Sequence, residues 1–263
     1  MISILDNNIH KSPSSRQTPV NQSGKFPVSS REHSDFGLSN GASTDCSLNE
    51  ILNGEFNQLL PYLEKVSLSA GQELYAPGEK SDFVYFPESC VISHLYNLAD
   101  GNTVEIAMVG REGVSGIFSL FDSKPEIHQA LVISGGTARR IRSGILQREF
   151  QRGGSLQGIL LNYFNSYLRQ VSQRVVCGSF HPIEKRMCSW LLMLNDRVRK
   201  NEITLTQEKI SLLLGVYRPS ISVIAKKLRD GKLINYVRGS FFILNSQGLK
   251  ELACECYSSI ETF

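Results

Sequence analysis

The stretch "LTQEKISLLLGVYRPSISVIAKKL", Leu205 to Leu228, constrains this chain more than any other. Its apolar residues recur at three- and four-residue steps on either side of a single Gly215, which is the pattern of two short helices folded about a tight corner. Thr206 suits the N-cap of the first helix, where its hydroxyl accepts a bond from an unpaired first-turn N–H. Leu205 and Ile210 then match a hydrophobic staple across that cap. Gly215 can take the left-handed conformation that closes a helix. Pro219 falls in the first turn of the second helix, where its missing N–H costs little.

Placed at 100° per residue, the second helix buries Ile221, Ile224, Ala225 and Leu228. Its opposite side carries Pro219, Val223 and Lys226, flanked by Ser222 and Lys227, with Arg218 and Ser220 at the N-terminal end. That face is narrow, small and partly cationic, which suits the floor of a DNA major groove. Arg218 can make a bidentate contact with a guanine edge or a phosphate, Ser222 can bond a base or phosphate, and Val223 can touch a thymine methyl. Thr206, Gln207 and the helix N-terminus would meet backbone phosphate. Downstream, Leu233–Val237 and Phe241–Leu244 read as two strands joined around Arg238-Gly239, a wing with Arg238 at its tip.

Charge agrees with this face. The chain has 263 residues and a formal net charge of +3. Between His181 and Asn245 twelve basic residues stand against five acidic ones, a local excess of +7 that leaves −4 for the rest. Such asymmetry points to a polyanionic partner.

The remainder divides into three further regions. Residues 1–46 are rich in Ser, Asn and Pro with few aliphatics, a composition expected of a disordered tail. Leu48, Ile51, Leu52, Phe56, Leu59 and Leu60 recur at helical spacing until Pro61 interrupts them. From 66 to about 142, short runs at Glu73–Tyr75, Phe83–Phe86, Val91–Tyr96, Thr103–Met108, His128–Ile133 and Thr137–Ile141 are separated by Gly and Pro turn signals. Many short strands at this spacing predict an antiparallel sandwich or barrel. Then "SLQGILLNYFNSYLRQVSQRVVC" predicts an uninterrupted helix of about 23 residues, roughly 34 Å long. It carries two apolar stripes. One runs Leu160, Phe164, Leu168, Val171, Val175; the other runs Leu156, Ile159, Tyr163, Tyr167. One stripe can cover the chain's own β-domain while the other pairs with a second copy. The expected dimer contacts are Leu156, Ile159, Leu160, Tyr163, Tyr167 and Val171. A further helix follows from Pro182 through Ile183, Met187, Trp190, Leu191 and Leu194. The expected organisation is therefore a tail (1–46), a β-rich sensor domain (47–150), a dimerisation helix (151–178) and a winged helix-turn-helix (179–257).

Other chemistries find little footing. The fractions of 41% hydrophobic and 20% charged residues are those of a soluble globular protein. No apolar run approaches the ~18 residues of a membrane span, and the N-terminus lacks signal-peptide features, so no membrane and a cytoplasmic location are expected. Six cysteines, at 46, 90, 177, 188, 254 and 256, form no C-x2-C pair and are expected as reduced thiols. Cys254-Glu255-Cys256 offers two close ligands without a neighbouring His cluster, so no metal site is expected. G-x-S-x-G, P-loop and H-E-x-x-H motifs are missing, so no catalysis is expected. The rival to DNA binding is a sensing module whose winged helix meets a protein.

Together, "LTQEKISLLLGVYRPSISVIAKKLRDGKLI" and "ELYAPGEKSDFVYFPESCVISHL" resemble the Crp/Fnr family of bacterial transcription regulators over about Leu48 to Tyr257. The resemblance implies an α+β chain: an N-terminal antiparallel β-roll of the cyclic-nucleotide-binding type, a long dimerisation helix and a C-terminal winged helix-turn-helix. It implies a homodimer on a two-fold double-stranded DNA site, with RNA polymerase as a further partner, and places Arg218, Ser222, Val223 and Lys226 at recognition positions. "VGREGVSGIFSLF" resembles a subgroup with a modified effector pocket. Members that bind cyclic AMP carry a Gly-Glu pair for the ribose and, further on, an Arg-Ser or Arg-Thr pair for the phosphate. The matching places here are Gly116-Ile117 and His128-Gln129. Ile117 cannot accept the ribose bond, and no arginine lies between Arg111 and Arg139 to neutralise a buried phosphate. Lys124 or His128 could substitute only in part, so cyclic AMP is not the expected effector. An iron–sulfur centre would need an N-terminal cysteine cluster, and Cys46 stands alone there. His94 and His128 are the histidines that haem ligation would call on. The effector itself stays unassigned.

Overall fold

The computed structural model describes residues 59–121, 124–199, 202–237 and 239–261. The expected tail and Arg238 lie outside these residues, as does most of the helix read over 47 to about 63, whose last residues form a 3-10 turn at Leu60–Tyr62.

Seven strands build the N-terminal half: β1 (Glu64–Leu68), β2 (Glu73–Tyr75), β3 (Phe83–Pro87), β4 (Val91–Asn97), β5 (Thr103–Val109), β6 (Gln129–Ser134) and β7 (Gly136–Arg142). They form two antiparallel sheets, ordered β1-β7-β3 and β2-β6-β4-β5. Six strands fall on the runs read from sequence. The seventh, β1 "EKVSL", was not foreseen: only Leu68 of its five residues is buried, so it carries little apolar signal. Between the sheets lies a core of Tyr75, Tyr85, Ile92, Ala107, Val109 and Val132. A second cluster, with Val84, Phe86, Val114, Ile117 and Ile141, closes one end of the roll.

Helix α1 (Ser143–Gln151) follows β7 directly and leads into α2 (Ser155–Phe180), the long helix. Leu156 and Leu160 of α2 enter the end cluster, with Ile159 and Tyr163 packed against it. Tyr167 enters the sheet core, with Val171 against it. These are the six residues expected to hold a second copy; within the protomer they pack against its own β-roll. They come from both apolar stripes of α2, with Phe164 packed beside them. The stripe left open is Leu161, Leu168 and Val175, exposed by 44%, 53% and 66%.

Past the extended His181-Pro182 corner, α3 (Ile183–Val198) is buried along the whole run Met187–Leu194. A helix apolar on this many sides belongs at the centre of a domain. Around it lie β8 (Glu202–Thr204), α4 (Gln207–Leu214), α5 (Arg218–Asp230), the hairpin β9 (Ile234–Val237) and β10 (Ser240–Ile243), α6 (Ser246–Leu252) and α7 (Cys256–Glu261). β8 adds to the hairpin to give a three-stranded sheet ordered β8-β10-β9. The core of this half is continuous with Val91, Leu95, Met108 and Ile133 of the β-roll, so the two halves share apolar contact. Gly215, with φ of 62°, shows why that docking needs a glycine: a Cβ there would come 3.1 Å from the Val104 side chain.

Candidate nucleic-acid interface

The corner forms as its sequence dictates. Thr206 caps α4, its Oγ1 accepting from the Lys209 N–H at 3.1 Å. Gly215 closes α4 in the left-handed region, and Pro219 sits in the first turn of α5. Ile221, Ala225 and Leu228 are buried, with Ile224 packed partly beside them.

The opposite face of α5 is open. Val223 is 70% exposed, and Arg218, Pro219, Lys226 and Lys227 are exposed as well. Thr206 is exposed at the start of α4, while Gln207, Ser220 and Ser222 are half-buried. Two of these side chains are already engaged with one another: Ser222 Oγ donates to Gln207 Oε1 at 2.7 Å, tying the two helices of the motif together. Lys227 is likewise held, its Nζ 2.7 Å from Glu184 Oε1 on α3. The free face thus narrows to Arg218, Pro219, Val223 and Lys226, with Gln207, Ser222 and Lys227 as a braced margin. The Glu184 contact could not be read from the sequence, where 43 residues separate the two partners.

Expected effector-pocket residues separate. Gly116 has φ of 87°, and a Cβ there would lie 2.9 Å from the Phe83 carbonyl oxygen, so the turn demands glycine. Ile117 is wholly buried in the apolar end cluster. His128 points inward. Gln129, one residue on, occupies the outer face of β6, where it donates to Glu73 and accepts from Asn97. The period-two alternation of a strand sends neighbouring side chains to opposite faces, so His128 and Gln129 do not line one pocket.

Within the roll, a polar cluster that the sequence did not announce surrounds His94. Its Nδ1 meets Tyr167 Oη at 2.7 Å and its Nε2 meets Ser115 Oγ at 2.8 Å. Tyr75 Oη stands 3.2 Å from both His94 Nε2 and Ser115 Oγ, and 3.4 Å from His128 Nε2. The two imidazole rings lie 4.5 Å apart. Burial, with the neighbouring His128 imidazole, holds His94 well below the ordinary histidine range, and burial pushes His128 down to about 4. Both rings are therefore neutral at physiological pH. Both His94 nitrogens are engaged, while His128 Nδ1 is buried without a hydrogen-bond partner. An open cleft of about 480 Å³ lies elsewhere, at the start of α1, lined in part by Lys80, Lys124, Arg142 and Arg148.

A second buried polar centre joins the halves. Glu105 of β5 accepts from Ser93, from Arg174 of α2 and, at 2.8 Å, from Trp190 Nε1 of α3. Nearby, Arg197 Nε donates to Glu112 Oε1 at 2.7 Å, and Gln170 accepts from the Met108 N–H at 2.6 Å.

Comparison with known proteins gives this geometry a context. Residues 185–252 match the model of the Crp-like helix-turn-helix domain. Among solved structures, FixK2 from Bradyrhizobium japonicum is 18% identical with a TM-score of 0.61, covering 73% of this chain and 98% of its own. A CRP-family transcriptional regulator from Thermus thermophilus is 17% identical with a TM-score of 0.62, covering 72% and 96%. The c-di-GMP-responsive regulator CLP from Xanthomonas campestris is 16% identical with a TM-score of 0.57, covering 71% and 96%. Comparison with curated protein sequences gives no match. Among the described residues, no helix is long and apolar enough to cross a membrane.

Proposed function

We propose that this chain, a Crp-like helix-turn-helix domain set on the fold of the Crp/Fnr transcription regulators, is a homodimeric regulator that reads a two-fold DNA site through α5. The observation that carries this reading is the exposure of Val223 and Lys226 beside Arg218, on a helix whose other side buries Ile221, Ala225 and Leu228. An α-helix presented this way enters the major groove through its first turns.

The open stripe of α2 supports the dimer. Leu161, Asn165, Leu168, Ser172, Val175 and Ser179 follow one another at alternating four- and three-residue steps, the seam of a two-stranded coiled coil. Three are apolar and three are small or polar. Ser172 Oγ already donates to the Leu168 carbonyl and Ser179 Oγ to the Val175 carbonyl, each at 2.9 Å. Their hydroxyl protons are thus satisfied within the helix and can enter a helix–helix interface at small desolvation cost. Two such helices would set the two copies of α5 about one DNA turn, roughly 34 Å, apart.

Cyclic AMP stays outside the proposal. Support comes from Ile117 in the apolar core, and from the His94–Tyr75–His128 cluster that fills the roll behind Gly116. RNA polymerase remains a partner proposed from family likeness. The reading is tested by mapping bound DNA, then titrating the purified chain against the recovered site and a scrambled one at two salt concentrations. A groove reader prefers the recovered site and loses affinity steeply with salt. Equal, salt-indifferent binding would instead favour a protein partner for the winged helix.

A further inference from the structure

Four donor side chains meet at the C-terminal end of α2. Cys177 and His181 come from the last turn and the C-cap of that helix, spaced Cys-x3-His; Cys254 and Cys256 flank the start of α7, spaced Cys-x-Cys. Cys177 Sγ lies 3.6 Å from Cys254 Sγ, and Cys256 Sγ lies 3.3 Å from His181 Nδ1. One ligand atom from each residue falls within 4.8 Å of all the others. A tetrahedral zinc ion, with Zn–S of about 2.3 Å and Zn–N of about 2.0 Å, would hold its sulfurs about 3.8 Å apart and its sulfur–nitrogen pairs about 3.5 Å apart. The Cys177–Cys254 and Cys256–His181 separations already stand close to these values. A disulfide, by contrast, needs sulfurs at about 2.05 Å.

Polar side chains surround the four donors. His181 turns its other nitrogen, Nε2, to the Glu255 carboxylate at 3.2 Å, the carboxylate–histidine pairing that orients a metal-binding imidazole. Gln173 Nε2 donates to Cys256 Sγ at 2.9 Å. Ser189 Oγ accepts from the Cys254 N–H and lies 3.1 Å from Cys254 Sγ, where it can donate to a thiolate. Arg186, half-buried, is close enough for its charge to act on both Cys177 and Cys254. A zinc ion with three thiolates and one imidazole carries a net charge of −1, which Arg186 offsets. The cysteine count alone missed this site, because its two pairs lie 77 residues apart in the chain.

We propose that Cys177, His181, Cys254 and Cys256 form a four-ligand site for a thiophilic divalent cation, zinc in the first place. The ion fastens the C-terminal segment to the corner between α2 and α3. Its ligands leave no open position, so its role is structural. Arg186 carries the site's influence onward: its guanidinium donates to the Leu214 carbonyl at 2.6 Å, at the end of α4. The ion thereby fixes how the helix-turn-helix is held relative to the long helix. That consequence for DNA rests on the function proposed above; the metal site itself does not.

The test uses the full chain purified under reducing conditions. Elemental analysis is expected to find one zinc per chain. Replacement by cobalt(II) is expected to give the intense visible absorption of tetrahedral cobalt–thiolate. Cys254→Ser and His181→Gln should lose the metal, whereas Cys90→Ala, in the β-roll, should keep it. Glu255→Gln changes an exposed side chain that leaves folding intact, and is expected to weaken zinc about 10- to 100-fold in competition with a chelator. A reduced chain that binds neither zinc nor cobalt overturns the site. So does a Cys254→Ser variant with full metal content, a Cys177–Cys254 disulfide in protein isolated without reductant, or iron–sulfur absorption in place of zinc. DNA affinity that stays unchanged once chelation has removed the metal would overturn the role at the corner. Loss of DNA preference in metal-replete protein would count against the DNA reading alone.

Discussion

The indole Nε1 of Trp190 donates to Glu105 Oε1 across 2.8 Å, linking the central helix of the helix-turn-helix half to a strand of the β-roll. The same carboxylate takes the guanidinium of Arg174 from the long helix, so three elements meet at one buried side chain. Removing the charge leaves Arg174 and the indole without their acceptor. Glu105→Ala is expected to cost about 3–5 kcal/mol of stability, the usual penalty for breaking a buried pair. Trp190 is the chain's single tryptophan, so its fluorescence should shift to the red in the same variant. Urea unfolding followed by that emission measures both. A loss under ~1 kcal/mol with unshifted emission would remove Glu105 from its joining role.

Arg218→Ala should lower affinity for the recovered DNA site by about 1–3 kcal/mol and relax preference at one base position. The helix should still fold, because Arg218 is exposed. Lys226→Ala should reduce the slope of log affinity against log salt by about one. Lys227→Ala should reduce it less, since Glu184 already pairs with that ammonium. Fluorescence anisotropy across a salt series checks all three; equal slopes for the two lysine variants would put Lys227 on the DNA.

Leu168→Glu places a charge on the open stripe of α2 and should convert dimer to monomer in sedimentation velocity, with the far-ultraviolet circular dichroism retained. Leu160→Ala should act differently. Leu160 is fully buried in its own roll, so the cost falls on protomer stability, about 2–5 kcal/mol, while the dimer persists in what remains folded. The reverse pattern would restore the stripe expected from sequence.

Acid should weaken the β-roll. His128 is pushed from 6.5 down to about 4 by burial, and His94 is lowered as well. Both groups thus bind protons less readily folded than unfolded. Their contribution is complete above about pH 6.5 and is lost as pH falls toward the folded value, because the unfolded chain protonates first. A shift of this size is worth about 3 kcal/mol for His128 at 1.36 kcal/mol per unit. Urea midpoints between about pH 7 and pH 4 measure the loss, and His128→Gln should flatten the curve. An equally steep curve in that variant would place the acid sensitivity elsewhere.

What the sequence determined by itself is what neighbouring residues decide. The Thr206 cap, the Gly215 corner, the Pro219 entry and the period of Ile221, Ala225 and Leu228 are local relations, and they specified the helix-turn-helix and its outward face. Six strands followed from turn signals and short apolar runs for the same reason. Tertiary structure alone decided which apolar residues of the long helix are covered: the β-roll takes Leu156, Ile159, Tyr163 and Tyr167 from one stripe and Leu160, Phe164 and Val171 from the other, and leaves Leu168 and Val175 open, because only the shape of the roll sets where its surface meets the helix. It also turned Gln129 away from His128, bound Lys227 to Glu184, buried Glu105 under Trp190 and brought Cys177 beside Cys254. Each of these joins residues whose meeting is set by the packing of whole elements rather than by any spacing that can be read along the chain.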